Sequence, residues 1–337
     1  MKVLVYGLLS IALYALSGIA SALDAIPEKD GFSGYINMGA AGVKVESNMI
    51  AGNSFGDISQ RTITSLYSSP ESESESLMQL NGEVAYTWAS SRTQVYFGNL
   101  LEDFIEFDFS TLLGVRHELT DKSIIAASYM FSSIPTEVWE DPYLINQRRS
   151  KTDRDSKGVR LEWDKIAGTG LDVQYSYRNI TLDDENSGRA LGLSIGDMDL
   201  LDREGSIHDL KVGYTFNFGN GHSLEPKINY TNRDLDGRAM KNTTWGVGLT
   251  HIYNSEKYSF VTNLDWAEAD FDKRNPIYNK TRNDDRLGIG FTAAYKRPFG
   301  LKHWHILGTL AYYDSDSNIK FYDTNIKYYS ISALYRF

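Results

Sequence analysis

The stretch that decides the fold is KYYSISALYRF, residues 327–337. Taken by twos, Tyr329, Ile331, Ala333, Tyr335 and Phe337 share one face, and Tyr328, Ser330, Ser332, Leu334 and Arg336 share the other. Period-two alternation marks a strand with one apolar and one mainly polar face. An unprotected strand of this kind is an edge liability in a soluble sheet. It makes sense where the last strand pairs with the first and closes a barrel.

The same alternation recurs throughout the chain. The spacing predicts strands over 31–45, 77–89, 93–100, 105–119, 123–132, 158–165, 171–180, 207–218, 223–232, 244–253, 258–267, 285–296, 302–313 and 325–337. Turn residues separate alternate pairs: Ser90-Ser91-Arg92, Thr120-Asp121-Lys122, Ala167-Gly168-Thr169-Gly170, Gly219-Asn220-Gly221, Asn254-Ser255-Glu256 and Pro298-Phe299-Gly300. The intervening connectors, 46–76, 133–157, 181–206, 233–243, 268–284 and 314–324, are long and polar, with a short one at 101–104. Short turns at one end and longer loops at the other, joining strands of about ten residues, describe a transmembrane antiparallel up-and-down β-barrel. About 14 strands are expected, within 12–16, and an even number places both termini on the periplasmic side. A soluble sandwich also alternates, but its outward face is polar; here the apolar face carries the bulk. Trp88, Trp163, Trp245, Trp266 and Trp304 fall near strand ends, as aromatic girdles do.

Composition agrees. Of 337 residues, 13% are aromatic, 22 of them tyrosine, and there is no cysteine. Mean hydropathy is only −0.36, as expected where half of each strand faces water. The net charge of −10 argues against nucleic acid as a partner. The opening MKVLVYGLLSIALYALSGIASA, with Lys2, an apolar run and Ala20-Ser21-Ala22, reads as a signal peptide over 1–22. A membrane anchor is its rival. The barrel then occupies 23–337.

The ending Tyr335-Arg336-Phe337, with apolar or aromatic residues at alternate positions behind it, resembles the C-terminal strand of Gram-negative outer-membrane proteins, porin-like and uncharacterised barrel families among them. The resemblance implies location in the outer membrane, contact with its lipid and lipopolysaccharide, and recognition of Tyr335 and Phe337 by the barrel-assembly machinery.

Charges on the second face of each strand are too costly to meet lipid. Glu83, Glu106, Asp108, Arg116, Arg160, Glu162, Asp164, Asp172, Arg178, Lys211, Lys227, Asp265 and Arg286 are therefore the candidate pore-lining residues. A barrel of this size is wide enough for a hydrated channel, so passive diffusion of small hydrophilic solutes is expected, with a mild preference for cations. The alternatives are a closed barrel whose lumen charges pair, one that binds or adheres through its acidic loops, and a transporter of hydrophobic compounds. Gly213, Gly246, Gly248, Gly288 and Gly290 supply either space or strand curvature. The loop at 133–157, with Trp139, Tyr143, Arg148 and Arg149, either gates the mouth or covers it. The acidic run Glu71–Ser76 is expected to be solvated and mobile. Residues 23–30 are too short for a plug domain. No cofactor or metal is expected. Asp314, Asp316 and Asn318 have calcium-loop spacing without its glycine or glutamate. No enzyme motif is present, and His208 and Asp209, adjacent on a strand, point to opposite faces.

Overall fold

The computed structural model describes residues 25–53, 56–99 and 110–337. The expected signal peptide lies outside them. Among the described residues, fourteen antiparallel strands close into a barrel. They are β1 (Gly31–Glu46), β2 (Ser72–Trp88), β3 (Thr93–Asn99), β4 (Ser110–Glu118), β5 (Ile124–Ser132), β6 (Lys151–Asp164), β7 (Leu171–Leu182), β8 (Gly205–Tyr214), β9 (His222–Leu235), β10 (Asn242–Asn254), β11 (Tyr258–Asn275), β12 (Lys280–Lys296), β13 (Trp304–Ser317) and β14 (Thr324–Arg336). Each pairs with its chain neighbour, and β14 pairs with β1 from Tyr35–Arg336 to Glu46–Asn325. The seam is finished by Phe337, whose N–H donates to Gly34 O at 3.0 Å while Gly34 N–H donates back at 3.1 Å.

Alternation sets the two surfaces. On β14, Tyr329 and Ile331 are more than 60% exposed while Tyr328 and Leu334 are buried. On β10, Trp245, Val247 and Leu249 point outward and Thr244, Gly246, Gly248 and Thr250 inward. Large exposed apolar side chains recur on every strand but β7, including Leu113, Leu161, Ile228, Leu264 and Leu310. In water that surface would drive aggregation; around a closed barrel it is a lipid-facing belt.

Several strands run past the apolar belt into stretches expected as loops. β6 begins at Lys151 rather than near residue 158, β11 continues to Asn275, and β12 starts at Lys280. These extensions are polar on the outward face, and on β11 the buried Ala269 and Phe271 point inward, so a lipid-facing apolar alternation cannot reveal them; backbone pairing continues all the same. The acidic run is corrected in this way. Ser72–Ser76 belongs to β2, where Glu73 pairs with Val45 and Glu75 with Val43. The strand expected over 105–119 is described only from Ser110.

The long-loop end is not a fringe of solvated segments. Ile50–Asn53 pairs with Thr136–Trp139, which pairs with Lys151–Arg154 of β6. Above the barrel, Ile63, Leu66, Tyr143, Leu201, Met240, Ile319, Phe321 and Tyr322, from five different loops, form one buried cluster. The Tyr143 and Tyr322 hydroxyls meet at 2.6 Å, and Asn275 donates to Tyr322 at 2.7 Å. Arg149 donates to the carbonyls of Asn48, Pro142 and Gln60 and lies 4.3 Å over the Trp139 ring. The loop at 133–157 thus covers the mouth, and does so by packing. Each fully buried aromatic here contributes about 1.5–3 kcal/mol of hydrophobic stabilisation, enough to order loops whose sequences look polar.

Candidate functional site

Within the described residues, the expected lining side chains all face the interior. Glu83 lies on β2, Arg116 on β4, Arg160, Glu162 and Asp164 on β6, Asp172 and Arg178 on β7, Lys211 on β8, Lys227 on β9, Asp265 on β11 and Arg286 on β12. Glu106 and Asp108 lie outside the described residues.

Strand register brings these charges together in rows that run across the wall. One row reads Asp172, Gly213, Lys227, Gly248, Asp265, Gly288, one residue from each of β7 to β12. Charge and glycine alternate along it. The Lys227 ammonium crosses β10 to reach Asp265 at 3.2 Å. A Cβ at Gly248 would overlap both Lys227 Cε and Asp265 Oδ1, and one at Gly213 would crowd the Asp172 carboxylate. These two glycines are seats for their neighbours' charges. That resolves the choice between space and curvature at those positions in favour of space. Gly158 differs: a Cβ there would strike the Tyr177 carbonyl, a close approach of backbones.

The next rows are polar too. Glu162, Gln174, Lys211, Asn229, Gly246, Ala267 and Arg286 form one. Arg160, Ser176, Asp209, Thr231, Thr244, Ala269 and Asp284 form another. In this last row Thr231 donates to Asp209 at 2.6 Å, and Lys211 lies 3.6 Å from the same carboxylate. Asp284, fully buried, receives Arg282 at 2.6 Å and Arg286 at 3.3 Å. On the opposite wall Arg116 pairs with Glu83 and stacks 4.4 Å over the Tyr96 ring. The interior is therefore a hydrogen-bonded set of acids and bases rather than two segregated fields. Removing one partner of such a pair leaves an uncompensated charge and is costly.

The alternation reading missed three contributors. Asp284 and Arg282 fall in a segment expected as loop, although Asp284, Arg286, Gly288 and Gly290 continue the inward period. At the short-turn end, Ile26 is buried against the inward-facing Ile124 and Ala126. Arg92 fastens that segment by donating to the carbonyls of Ile26 at 2.7 Å and Pro27 at 2.9 Å, and pairs with Glu118. No local signal marks residues 25–30 as seated in a barrel mouth.

The loop charges have separate employment. Asp314 accepts from Asn325, Asp316 from Lys320, and Asn318 donates to the Thr281 carbonyl. Among the described residues no group of three or more His, Asp or Glu could hold a metal ion. Glu185 takes Arg203 in two contacts of 2.6 and 3.0 Å. Burial raises the Asp202 carboxyl above its ordinary value, with Glu185, Glu204 and Asp236 nearby adding to the effect. Burial also lowers the Arg149 guanidinium to about 9.

A closed antiparallel barrel with an apolar exterior and a charged interior is a membrane-spanning protein of the outer-membrane class, and the outer membrane is its place. The chain belongs to the family described as "Protein of unknown function (DUF2860)", whose model matches residues 31–336. No curated protein matches it. Similar solved structures include a FadL homologue of Pseudomonas aeruginosa, 11% identical over 99% of each chain with a TM-score of 0.48. The toluene transporter TbuX of Ralstonia pickettii is 12% identical over 91% of this chain and 90% of that one, with a TM-score of 0.45. The channel DcaP of Acinetobacter baumannii is 9% identical over 92% and 97%, with a TM-score of 0.45.

Proposed function

We propose that this protein is an outer-membrane channel for small hydrophilic solutes, gated at its long-loop end. The row Asp172, Gly213, Lys227, Gly248, Asp265, Gly288 carries the reading: polar and charged groups cross the interior on six successive strands. An apolar cargo would find few surfaces there. The packed cap makes the resting state closed, so diffusion waits on its displacement. Short turns and both termini face the periplasm, and the cap faces the outside. Acids and bases nearly balance on the inner faces, so the preference for cations is slight and comes from the net charge of −10. Tyr335 and Phe337 serve the assembly machinery.

The test is conductance of refolded protein in a planar bilayer under a salt gradient. Rare openings of the natural protein, frequent ones of Arg149→Ala, and a weakly cation-leaning reversal potential are expected. A folded Arg149→Ala protein that never conducts would refute the channel. The packed cap favours a second reading, a closed barrel that binds a partner through its loops; that outcome would select it.

A further inference from the structure

On the outer wall of β12, β13, β14, β1 and β2 there is a groove of about 700 Å³. Its floor is made of small residues, Ala40, Ala293 and Gly308, and its sides of Met78, Leu310 and Ile331. All six belong to the lipid-facing set. The volume falls in the range of sites that bury a defined ligand rather than passing contacts. The Tyr329 ring lies across Gly42 at the groove's long-loop end, where a Cβ at Gly42 would strike it.

Directly beyond that ring the surface changes character. Lys44 and Lys327 face each other across the β1–β14 seam, on the same outward face as Ala40 and Ile331. They are one outward position beyond the groove, since Gly42 pairs with Tyr329 and Ala40 with Ile331. Like charges directly opposite in an antiparallel pair destabilise it. Glu46 relieves this weakly, at 3.9 Å from Lys44, and Lys327 meets no acid among the described residues. A phosphate between the two ammonium groups would turn the repulsion into two charge-assisted contacts.

We propose that this wall holds one molecule of phosphorylated, multiply acylated glycolipid, the lipopolysaccharide of the outer leaflet. A phosphate sits between Lys44 and Lys327, and an acyl chain fills the groove over Gly308. Charge complementarity selects this occupant over a second copy of the chain, which would bring a second lysine pair or its own apolar wall. The choice of lipopolysaccharide over an inner-leaflet phospholipid rests on the reading that the cap faces outward; it does not depend on conduction.

The test uses the full mature barrel refolded in detergent, free of cell lipid, with native mass spectrometry as the readout. Bisphosphorylated lipid A, the same lipid A without its phosphates, and phosphatidylglycerol are titrated in turn. The natural protein should retain one lipid A and little of either other lipid. Lys44→Ala with Lys327→Ala should weaken retention about thirtyfold, at roughly a surface-charge contribution per lysine. Gly308→Phe should weaken it at least tenfold with both lysines present. Nothing lies within 4 Å of a Cβ at Gly308, so the substitution meets no backbone at its root, and heat-modifiability checks that the variant is folded. Lys302→Ala, at the other end of the barrel, should change nothing. Equal binding of dephosphorylated lipid A, or indifference to both sets of changes, overturns the proposal. So does a lipid-free dimer abolished by Gly308→Phe, which would assign the wall to a second copy. Tighter binding of phosphatidylglycerol overturns it as well. Cysteine labelling of Phe299→Cys in intact cells shows separately which end faces out, and labelling from outside would overturn lipopolysaccharide as the occupant.

Discussion

The glycine seats make a quantitative prediction about the Lys227–Asp265 pair. At 3.2 Å, with an effective dielectric constant of about 20, the gross attraction is about 5 kcal/mol. The lysine side chain is 11% exposed and the aspartate 24%, so both have lost much of their hydration, and that loss offsets most of the attraction. A net coupling of about 1–3 kcal/mol is expected, above the roughly 0–1 kcal/mol of exposed pairs. The experiment is a double-mutant cycle with Lys227→Met and Asp265→Asn, read by reversible denaturant unfolding of the refolded barrel in detergent. The cycle is then repeated with Gly248→Ala. A methyl group there occupies the path of the lysine side chain, so the coupling should fall by at least half. A coupling below about 0.5 kcal/mol in the natural background would refute the pair's importance. A coupling unchanged by Gly248→Ala would refute the account of the glycine.

The cap gives further predictions. Arg149→Ala leaves three carbonyls without their shared donor and should cost the cap roughly 2–4 kcal/mol, seen as faster proteolysis of residues 47–71 and 133–150 with the strands still protected; unchanged cleavage would mean that the loops are held otherwise. Asp202, its carboxyl raised chiefly by burial, opposes cap folding while ionised. As pH falls through its folded value the folded state takes up the proton first, so stability rises until the unfolded carboxyl also protonates. Asp202→Asn should therefore raise the thermal midpoint near pH 7.5 and remove the gain the natural protein shows as pH is lowered from there; an equal pH dependence in both proteins would assign it elsewhere. Phe337→Ala keeps both seam hydrogen bonds, which are made by backbone, so refolding in detergent should be nearly unaffected while assembly in cells falls several-fold. Equal losses in both settings would make the ring structural rather than an address.

Much was legible in the sequence because a membrane barrel obeys period two wherever its wall meets lipid. Within the apolar belt every side chain must choose lipid or interior, and a charge there chooses the interior. That is why Tyr329 and Ile331 on one face, and Lys227 and Asp265 on the other, were assignable from spacing alone. The failures occur where the rule has no force. Beyond the apolar belt the outward face of a strand is polar, and so β6 and β11 looked shorter than they are and Ser72–Ser76 looked like loop. Asp284 was hidden by the same effect.

The sequence by itself thus determined the class of fold, the approximate number of strands and which face each one turns to lipid, since these depend on residues two positions apart. Only the tertiary structure decided which charges meet. Lys227 and Asp265 are brought together by register across Gly248 on the strand between them, and register depends on hydrogen bonds between strands, not on either strand's own pattern. It also decided that Tyr143, Leu201, Met240 and Phe321, scattered through polar loops, share one core. A few apolar residues in each loop are too sparse to signal burial locally, and bury one another only when the closed barrel gathers the loops above a single mouth.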